Sequence, residues 1–486
     1  ICVALVSNRG PVSFIERDGG GYDTKRGAGG LAGALDPVAR RLGERAVWIA
    51  AATSDTDRKA LADGAVDELV VQLGYRVRLL DIDPETYSLY YDVVSNRMMW
   101  FANHCLWDEV GIEGFGPAQL AAWTNAYEPV NQLFAQAVAD VTSPDWFVLF
   151  QDYHLTTAPE QLRRLRPDQT ILHFTHSSFC GPRGLEHLPG PIPPTIVKGM
   201  LGADLLGFHV ARWAEGFFAC CSELGAEVDR ASGFVTHGGR RTWVRTYPIP
   251  IDAQELERRA AGPKARKWAE DLGAAAYALV VRADRAEPSK NVVRGFEAFG
   301  LLLDRRPDIR ARTRFVACMY ASRQSMPEYQ RYLDDIQAVV DGVNARHPSA
   351  IELFIKDDYD RTLGALTVYD VLLVNPIMDG MNLVSKEGPA LNERSGVLVL
   401  SRGAGSFDEL GEDAIEISDP TDVAATAAAL ERALDLPAME RERRAARLRA
   451  KATARRPDDW IDAQIEDLVE IRAGRAPLTP PPGQTY

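Results

Sequence analysis

Short apolar runs recur along the whole chain, and helical patterns separate most of them. In the first half the runs are Cys2–Val6, Trp48–Ala52, Trp146–Phe150, Ile171–His176 and Leu205–His209. In the second half they are Ala278–Val281, Phe315–Met319, Ile351–Phe354, Val371–Val374, Val397–Leu400 and Ala414–Ile417. A short apolar run bounded by turn residues predicts a buried strand, and alternation with helices predicts a parallel sheet covered on both faces. We therefore expect an α/β chain of two doubly wound, Rossmann-like domains that face a central cleft.

A proline-rich joint at Tyr247–Pro250 and the charged helical stretch after it indicate a domain boundary. A chain of 486 residues has room for two domains of ordinary size. We place the first domain at 1–250 and the second at 251–458. A helix at 459–475 is expected to cross back to the first domain, and the tail at 476–486 is expected to be flexible.

The strongest local pattern is a strand, a turn and a helix in the second half. The run Val371–Val374 leads to a turn at Asp379-Gly380, and helical spacing follows. Backbone N–H groups at a helix start lack partners within the helix and suit a phosphate. Glu387, about one turn into the helix, could accept hydrogen bonds from two ribose hydroxyls. The pattern favours a nucleotide site, although packing alone produces similar units in many α/β folds.

Polar residues also follow several strands of the first half. Arg9 follows the first strand, where it could hold a phosphate through its two-pronged guanidinium or simply lie on the surface. Asp152, His176 and His209 end or follow later strands, and a shared cleft at the carboxyl ends of the strands would bring them together. Any single histidine can equally be structural.

Three further segments carry candidate chemistry. Arg285 and Lys290 lie five residues apart in a loop before a helix, as a clamp for a diphosphate or as two solvated surface cations. The glycine-rich segment Arg26–Leu31 either folds over a phosphate or is a simple loop. The aromatic stretch from Tyr87 to Trp107 either packs in the core or lines a sugar site.

Composition narrows the class of protein. The net charge of −13 argues against a nucleic-acid partner. The six cysteines are scattered without a CxxC pair, so we expect reduced thiols and no metal site. No apolar run approaches the roughly 20 residues of a membrane span, and nothing resembles a signal peptide. We therefore expect a soluble cytoplasmic protein without a membrane partner.

Six motifs in matching order resemble the trehalose-6-phosphate synthases, the retaining glycosyltransferases of family 20, over nearly the whole chain. They are Ser7-Asn8-Arg9, Gly29-Gly30-Leu31, Asp152-Tyr153-His154-Leu155, Leu205-Leu206-Gly207-Phe208, Tyr247-Pro248-Ile249 and Asp379-Gly380-Met381-Asn382-Leu383-Val384. The resemblance implies the GT-B architecture of two Rossmann-like domains. It also implies glucosyl transfer from a nucleoside diphosphate glucose to glucose 6-phosphate, with no cofactor and no metal.

The resemblance further implies a role for each matching position. The acceptor pocket would contain Arg9, Tyr91, Trp100, Asp152 and Arg323. The donor would contact Gly29, Gly30, Arg285, Lys290, Asp379, Gly380, Met381, Asn382, Leu383 and Glu387. The residues implied for catalysis are Asp152, His176, Arg285, Lys290 and Asp379.

The donor base and the exact transfer stay open. The segment Phe354–Asp360 is acidic where the base would lie, and a carboxylate can accept the N1–H and amino group of guanine, so GDP-glucose is weighed against UDP-glucose. The alternatives within the family are a pseudo-glycosyltransferase that couples cyclitols and a glucosylglycerol-phosphate synthase. An alternative outside catalysis is a sugar-phosphate sensor without activity, although the site residues are all present. The sequence leaves open whether the chain forms a homo-oligomer.

Overall fold

The computed structural model describes residues 1–26, 30–274 and 277–484. These residues form two compact units, of which the first contains Ile1–Ile249 together with the chain from Pro457 onward, and the second contains Pro250–Arg456.

The first unit is built on a nine-stranded sheet and a separate two-stranded hairpin. Its strands are β1 (Val3–Val6), β2 (Val12–Glu16), β3 (Tyr22–Arg26), β4 (Ala46–Ala51), β5 (Arg76–Leu80), β6 (Phe147–Gln151), β7 (Thr170–Thr175), β8 (Leu205–Phe208), β9 (Glu227–Asp229), β10 (Phe234–His237) and β11 (Arg240–Thr246). The order is β5-β4-β1-β6-β7-β8-β11-β10-β9, parallel except for the pairs made by β10, and β2 and β3 form the hairpin. Every residue of β1, β4, β6, β7 and β8 is buried, which explains their continuous apolar runs.

Helices connect the strands of the first unit. They are α1 (Gly30–Leu42), α2 (Asp55–Ala62), α3 (Ala65–Leu73), α4 (Pro84–Ser88), α5 (Trp100–Asn103), α6 (Trp107–Val110), α7 (Pro117–Ala122), α8 (Glu128–Val141), α9 (Ala158–Leu165), α10 (Pro182–Leu185), α11 (Ile192–Met200) and α12 (Ala211–Glu223). Two segments, Leu89–Met99 and Trp123–Tyr127, have the wider π-helical winding, and 3₁₀ turns cover Gly43–Arg45 and Tyr153–Leu155.

The second unit has one parallel sheet of six strands. They are β12 (Ala278–Ala286), β13 (Thr313–Ala321), β14 (Ile351–Ile355), β15 (Val371–Val374), β16 (Val397–Ser401) and β17 (Ile415–Ile417), in the order β14-β13-β12-β15-β16-β17. Its helices are α13 (Ala253–Ala260), α14 (Pro263–Gly273), α15 (Val292–Arg305), α16 (Pro307–Arg312), α17 (Pro327–Arg346), α18 (Tyr359–Val368), α19 (Val384–Leu391), α20 (Phe407–Leu410), α21 (Val423–Leu434) and α22 (Ala438–Ala452), with a 3₁₀ turn at Pro288–Lys290.

Each face of this second sheet has its own apolar core. Val280 of β12 packs in a cluster with Phe296 and Phe299 of α15. Its neighbour Val281 points to the other face, into a cluster with Leu363 and Leu366 of α18. Successive side chains of a strand alternate between faces, so a strand in a sheet covered on both faces can be apolar at successive positions, as β15 is.

The chain returns to the first unit through the helix α23 (Pro457–Arg472). The indole of Trp460 in α23 donates to the carbonyl of Tyr247 at 2.9 Å, and the Tyr247 hydroxyl donates to the Asp467 carboxylate at 2.6 Å. The Asp467 carboxylate also accepts the backbone N–H groups of Leu478 and Thr479. The structure thus holds in place part of the tail that the sequence analysis expected to be flexible.

The α/β class with parallel sheets is confirmed, and each predicted strand is present, with shifts at the ends. Strand β12 continues to Ala286, five residues beyond its apolar run, because it pairs in register with β13 as far as Ala321. The hairpin β2–β3 and the antiparallel extension β9–β11 were not predicted. Within the described ranges, no helix combines the length and apolar character that a membrane crossing needs.

Candidate active site

In the first unit, a network of hydrogen bonds holds the loop that follows β1. Trp48 Nε1 donates to Ser7 Oγ at 2.8 Å, and Ser7 Oγ donates to the carbonyl of Arg9 at 2.7 Å. The exposed guanidinium of Arg9 donates to the Tyr91 hydroxyl at 2.7 Å. The loop therefore presents an oriented cation at the carboxyl end of the sheet, which suits an anionic ligand.

The π-helical segment Leu89–Met99 places the two aromatic residues that the sequence analysis assigned to the acceptor. Tyr91 stacks on His154, with ring centroids 5.7 Å apart and planes 13° apart. Trp100, which follows the segment, packs against His104 and Tyr153 and is only 8% exposed. Tyr91 thus lies beside Arg9, whereas Trp100 belongs mainly to the buried aromatic core.

Asp152 has a backbone conformation that residues other than glycine rarely adopt, with φ 68° and ψ 175°. Its carboxylate accepts the backbone N–H groups of His176 at 3.1 Å and Ser177 at 3.3 Å. Its carbonyl accepts His173 Nε2 at 3.1 Å, and its N–H donates to the carbonyl of Phe174 at 2.6 Å. The end of β7 therefore fixes Asp152 through both main chain and side chain.

His176 is a neutral imidazole inside an aromatic surround. Its Nε2 lies 2.8 Å from Gln151 Oε1, so Nε2 carries the proton. Phe174, His209 and Trp460 pack around the ring. Burial, together with the nearby His209 and His173, holds the pKa of His176 well below its usual value. Such a ring can offer or accept a hydrogen bond near neutral pH without carrying charge.

In the second unit, β12 and the turn after it supply two cations. Lys290 forms an ion pair with Asp379, and Arg285 Nη2 lies 3.0 Å from the carboxylate of Glu287. Burial acts to lower the pKa of Lys290, but the carboxylates of Asp379, Asp284 and Glu287 outweigh it and the pKa is raised. Lys290 is therefore charged throughout the neutral range.

The turn between β15 and α19 presents three backbone N–H groups that could bind an anion, and we call this group the cradle. The backbone N–H groups of Met381, Asn382 and Leu383 have no hydrogen-bond partner anywhere in the described part of the chain. Met381 is 3% exposed and Asn382 is 6% exposed with φ 68°. Buried N–H groups without partners are rare in folded proteins, and a run of them at a helix start suits a phosphate.

Two glycines that the sequence analysis did not single out shape this turn. A Cβ on Gly403 would lie 2.2 Å from the carbonyl oxygen of Ile377, and a Cβ on Gly405 would lie 2.0 Å from that of Gly380. The turn at Asp379 can pack this closely on the loop after β16 only because both positions lack a side chain.

Glu387 lies in α19, one helical turn beyond the cradle, as predicted. Its carboxylate is half-buried and accepts no hydrogen bond from the described residues. Burial raises its pKa to about 7. The hydroxyl of Tyr359 is close enough for Glu387 to raise its pKa as well. A half-buried acceptor without a protein partner is suited to a ligand hydroxyl.

Arg323 follows β13 in the second unit, with φ 46°. Its Nη1 donates to the Tyr329 hydroxyl and lies 3.7 Å from the Glu287 carboxylate. Arg323 and Arg285 therefore share Glu287, and the other predicted acceptor residues lie in the first unit.

The glycine-rich segment is described only in part. Gly29 lies outside the described residues, and Gly30 is the first residue of α1. Arg26, at the end of β3, forms an ion pair with the buried Asp36 of α1. The Asp36 carboxylate also accepts a hydrogen bond from the Tyr75 hydroxyl at 2.7 Å.

Reasoning from sequence missed two buried residues next to the predicted ones. Glu287 is fully buried between Arg285 and Arg323. His173 is fully buried behind Asp152, and burial lowers its pKa to about 4. A carboxylate two residues after Arg285 was a visible signal for the first, whereas His173 sits inside an apolar strand and gives none. In the described ranges, no group of three or more His, Cys, Asp or Glu side chains is arranged to hold a metal ion.

Two Rossmann-like units, one of which has a cradle of unpaired backbone N–H groups at the carboxyl end of a parallel strand, fit the class of glycosyltransferases. Residues 2–470 match the family model described as Glycosyltransferase family 20. The chain belongs to glycosyltransferase family 20, which confirms the resemblance drawn from the sequence motifs.

Relatives and solved structures agree over nearly the full length. A trehalose-6-phosphate synthase of Mycobacterium sp. (strain KMS) is 31% identical, over 98% of this chain and 96% of the relative. A validamine 7-phosphate valienyltransferase of Streptomyces hygroscopicus subsp. jinggangensis (strain 5008) is also 31% identical, over 88% of this chain and 86% of the relative. A solved E. coli structure bound with UDP-2-fluoro glucose is 26% identical with a TM-score of 0.81, covering 96% of this chain and 99% of that one. These similarities confirm the GT-B fold.

Proposed function

We propose that the chain transfers glucose from a nucleoside diphosphate glucose to glucose 6-phosphate with retention of configuration, giving trehalose 6-phosphate and a nucleoside diphosphate. The observation that carries the proposal is the cradle of unpaired N–H groups at Met381, Asn382 and Leu383, near the Lys290–Asp379 ion pair. The Mycobacterium relative is a trehalose-6-phosphate synthase, and the E. coli structure holds an analogue of such a donor.

The residues of the second unit would stabilise the leaving group. As the bond between the anomeric carbon and the phosphate oxygen breaks, negative charge grows on the diphosphate. Arg285, Lys290 and the cradle N–H groups are preorganised donors for that charge, each typically worth a few kcal/mol. Asp379, held by Lys290 and by Asn382 Nδ2 at 3.1 Å, would accept a hydrogen bond from the glucose.

The acceptor would be bound through its phosphate and its ring. In the first unit, Arg9, oriented by Tyr91, would hold the phosphate, and Tyr91 would lie against the sugar. In the second unit, Arg323 is the residue that we propose for the acceptor phosphate. Asp152 would bind an acceptor hydroxyl. The attacking hydroxyl would approach on the face from which the diphosphate departs and give its proton to a departing phosphate oxygen. This path retains configuration and needs no second carboxylate.

For the donor base we propose guanine. Of the three carboxylates in the acidic segment, Asp360 lies in the first turn of α18. Asp358 caps α18 by accepting the N–H of Arg361 at 3.1 Å, and it also pairs with the Arg361 guanidinium. Asp357 is exposed and makes no hydrogen bond with the described residues. It lies close enough to Tyr320 to affect that hydroxyl's pKa. Asp357 is thus the carboxylate that could accept the N1–H and amino group of guanine.

Cyclitol coupling is the second candidate, because the valienyltransferase is as similar in identity as the synthase. In favour of the synthase, His154 and Met381 follow the ordinary synthase pattern, and His154 stacks on Tyr91.

The test is release of nucleoside diphosphate from UDP-, GDP- and ADP-glucose, each with and without glucose 6-phosphate, with product mass determined. Acceptor-dependent release giving a disaccharide phosphate is the expected result, fastest with GDP-glucose. Faster turnover of UDP-glucose would reject the guanine assignment alone. Calorimetric binding of glucose 6-phosphate without turnover of any donor would favour a sensor, and turnover only of a nucleotide-linked cyclitol would favour the second candidate.

A further inference from the structure

Glu287 is a charged residue with no exposure to solvent that lies among the cations of the second unit. Its Oε1 accepts from Ser289 Oγ at 2.9 Å and lies 3.0 Å from Arg285 Nη2. Its Oε2 lies 3.7 Å from Arg323 Nη1 and accepts no hydrogen bond from the described residues. One carboxylate therefore faces two guanidiniums, one on each oxygen.

The two arginines reach Glu287 from different strands. Arg285 is part of β12, and Arg323 follows the neighbouring β13, where Arg285 is paired in register with Tyr320. Two guanidiniums side by side repel one another, and a long side chain near a surface has many rotamers. A buried anion between them lowers that repulsion and limits both side chains to one orientation.

The charged residues around Glu287 keep a net positive charge, which suits an anionic ligand. Glu287, Asp379 and Asp284 carry three negative charges, against the four positive charges of Arg285, Lys290, Arg323 and Arg282, which pairs with Asp284. The group therefore keeps net positive charge, and Arg285 keeps 31% of its side chain exposed. A buried carboxylate left with no partner would be costly, so Glu287 and the two arginines depend on each other.

We infer that Glu287 is a positioning residue that orients Arg285 and Arg323 together. Arg285 would then bind the donor diphosphate and Arg323 the acceptor phosphate, with both guanidiniums held by the same carboxylate. The inference rests on the proposed function for the identity of the two ligands. The geometry of the pair itself does not depend on which sugar is transferred.

The test measures the reaction of individual arginines with phenylglyoxal in the full chain, mapped by mass spectrometry without any substrate. In Glu287→Gln the amide oxygen can accept from only one guanidinium, and the amide N–H₂ group faces the other. The negative charge between the arginines is also lost, so Arg285 and Arg323 are both expected to react at least about threefold faster. Ser289→Ala, which removes the neutral donor to the same carboxylate, should leave both rates close to wild type. Arg164, which pairs with Glu160 in the first unit, is the internal reference.

A faster reaction at only one arginine, or at neither, would overturn the inference. If Glu287→Gln also accelerates Arg164 and so has lost its fold, Glu287→Asp decides. That side chain is one methylene shorter, so it should release Arg323, the more distant partner, more than Arg285. Unchanged rates in Glu287→Asp would also overturn it.

Steady-state kinetics of the variants separate this inference from the proposed function. Activity of the wild type tests the proposed function, whereas the ratio of variant to wild type tests Glu287. In Glu287→Gln, kcat/KM should fall at least about tenfold for donor and acceptor alike, with partial rescue in Glu287→Asp. Tighter binding of both ligands would mean that the carboxylate competes with phosphate, and would contradict a positioning role.

Discussion

The carboxylate of Asp152 accepts the backbone N–H of His176 at 3.1 Å, across the ends of two neighbouring parallel strands. The same carboxylate accepts the N–H of Ser177, and the Asp152 backbone has φ 68°. A conformation of this kind costs about 1–3 kcal/mol and persists only where surrounding contacts fix it. The hydrogen bonds from His176, Ser177 and His173 provide those contacts and set where the Asp152 carboxylate lies.

Asp152→Asn separates the positional role of this residue from its charge. The amide oxygen can still accept from His176 and Ser177, so we expect the thermal unfolding midpoint to stay near wild type. The loss of a hydrogen bond between a charged carboxylate and the acceptor should lower kcat/KM for glucose 6-phosphate by about 10- to 100-fold. Asp140→Asn, at an exposed position of α8, is the control. Unchanged kcat/KM in Asp152→Asn would contradict an acceptor role.

The sequence predicted the sheets better than the details of the site. Buried parallel strands such as β1 and β15 are apolar at every position, so they can be recognised without the fold. The cradle at Met381–Leu383 was predicted from its turn and helix, but its close packing on Gly403 and Gly405 depends on a loop from the next strand.

Some features have no local signal at all. The π-helical winding of Leu89–Met99 carries Tyr91, yet nothing in its composition distinguishes it from an ordinary helix. His173 points from inside an apolar strand to the carbonyl of Asp152, a contact that depends on strand register. The hairpin β2–β3 has alternating and largely exposed residues, so it lacks an apolar run.

Lys290→Met tests stabilisation of the leaving diphosphate. The substitution removes a cation that is paired with Asp379 and only 11% exposed, while keeping much of the side-chain volume. We expect kcat to fall by about 10²- to 10³-fold, and the donor KM to change less, because charge on the diphosphate grows mainly in the transition state. Lys59→Met, which removes an exposed cation paired with Glu16, should retain wild-type kinetics. A change confined to the donor KM would contradict this role for Lys290.

Asp357→Asn tests how the donor base is selected. The asparagine oxygen can accept a hydrogen bond from one of the two guanine donors. The asparagine N–H₂ group is itself a donor, so it cannot accept from the other. We expect kcat/KM for GDP-glucose to fall by about 10- to 100-fold, while that for UDP-glucose changes little, so the ratio of the two reports the effect. Asp360→Asn, three residues further along in the first turn of α18, is the control. An equal loss for both donors would reject base recognition by Asp357.

The Glu387 carboxyl should make nucleotide binding depend on pH. Burial raises its pKa to about 7, and only the ionised form can accept both ribose hydroxyls. The dissociation constant for GDP should therefore fall about tenfold between pH 6 and pH 8, as the group ionises. Calorimetry across this range checks it. Glu387→Gln should bind GDP weakly at pH 8, and its dissociation constant should no longer change near pH 7. If the dissociation constant of this variant still falls near pH 7, the ligand phosphate is the group that titrates.

The free energy of unfolding should fall as pH rises because of the same Glu387 carboxyl, whereas nucleotide binding strengthens. The pKa of Glu387 is about 7 in the folded protein against 4.5 as the ordinary value. Between these values the unfolded chain loses a proton that the folded protein keeps, so stability contributed by this group falls as pH rises from about 4.5 to 7. Glu387→Gln should therefore flatten the decline in unfolding midpoint over this window, and an unchanged decline would show that other groups cause it.

Removal of 477–486 should destabilise the first unit. Arg245 is 2% exposed and its Nε donates to the carbonyl of Thr479 at 2.6 Å, and the buried Asp467 accepts the N–H groups of Leu478 and Thr479. The deletion leaves these charged groups short of partners, at a cost of about 2–4 kcal/mol in the free energy of unfolding. Removal of 480–486 alone keeps the three hydrogen bonds and should cost about 1 kcal/mol or less. Urea denaturation followed by hydrogen exchange of the β11 amides checks both, and equal stability of the two deletions would show that the anchor at Thr479 contributes nothing.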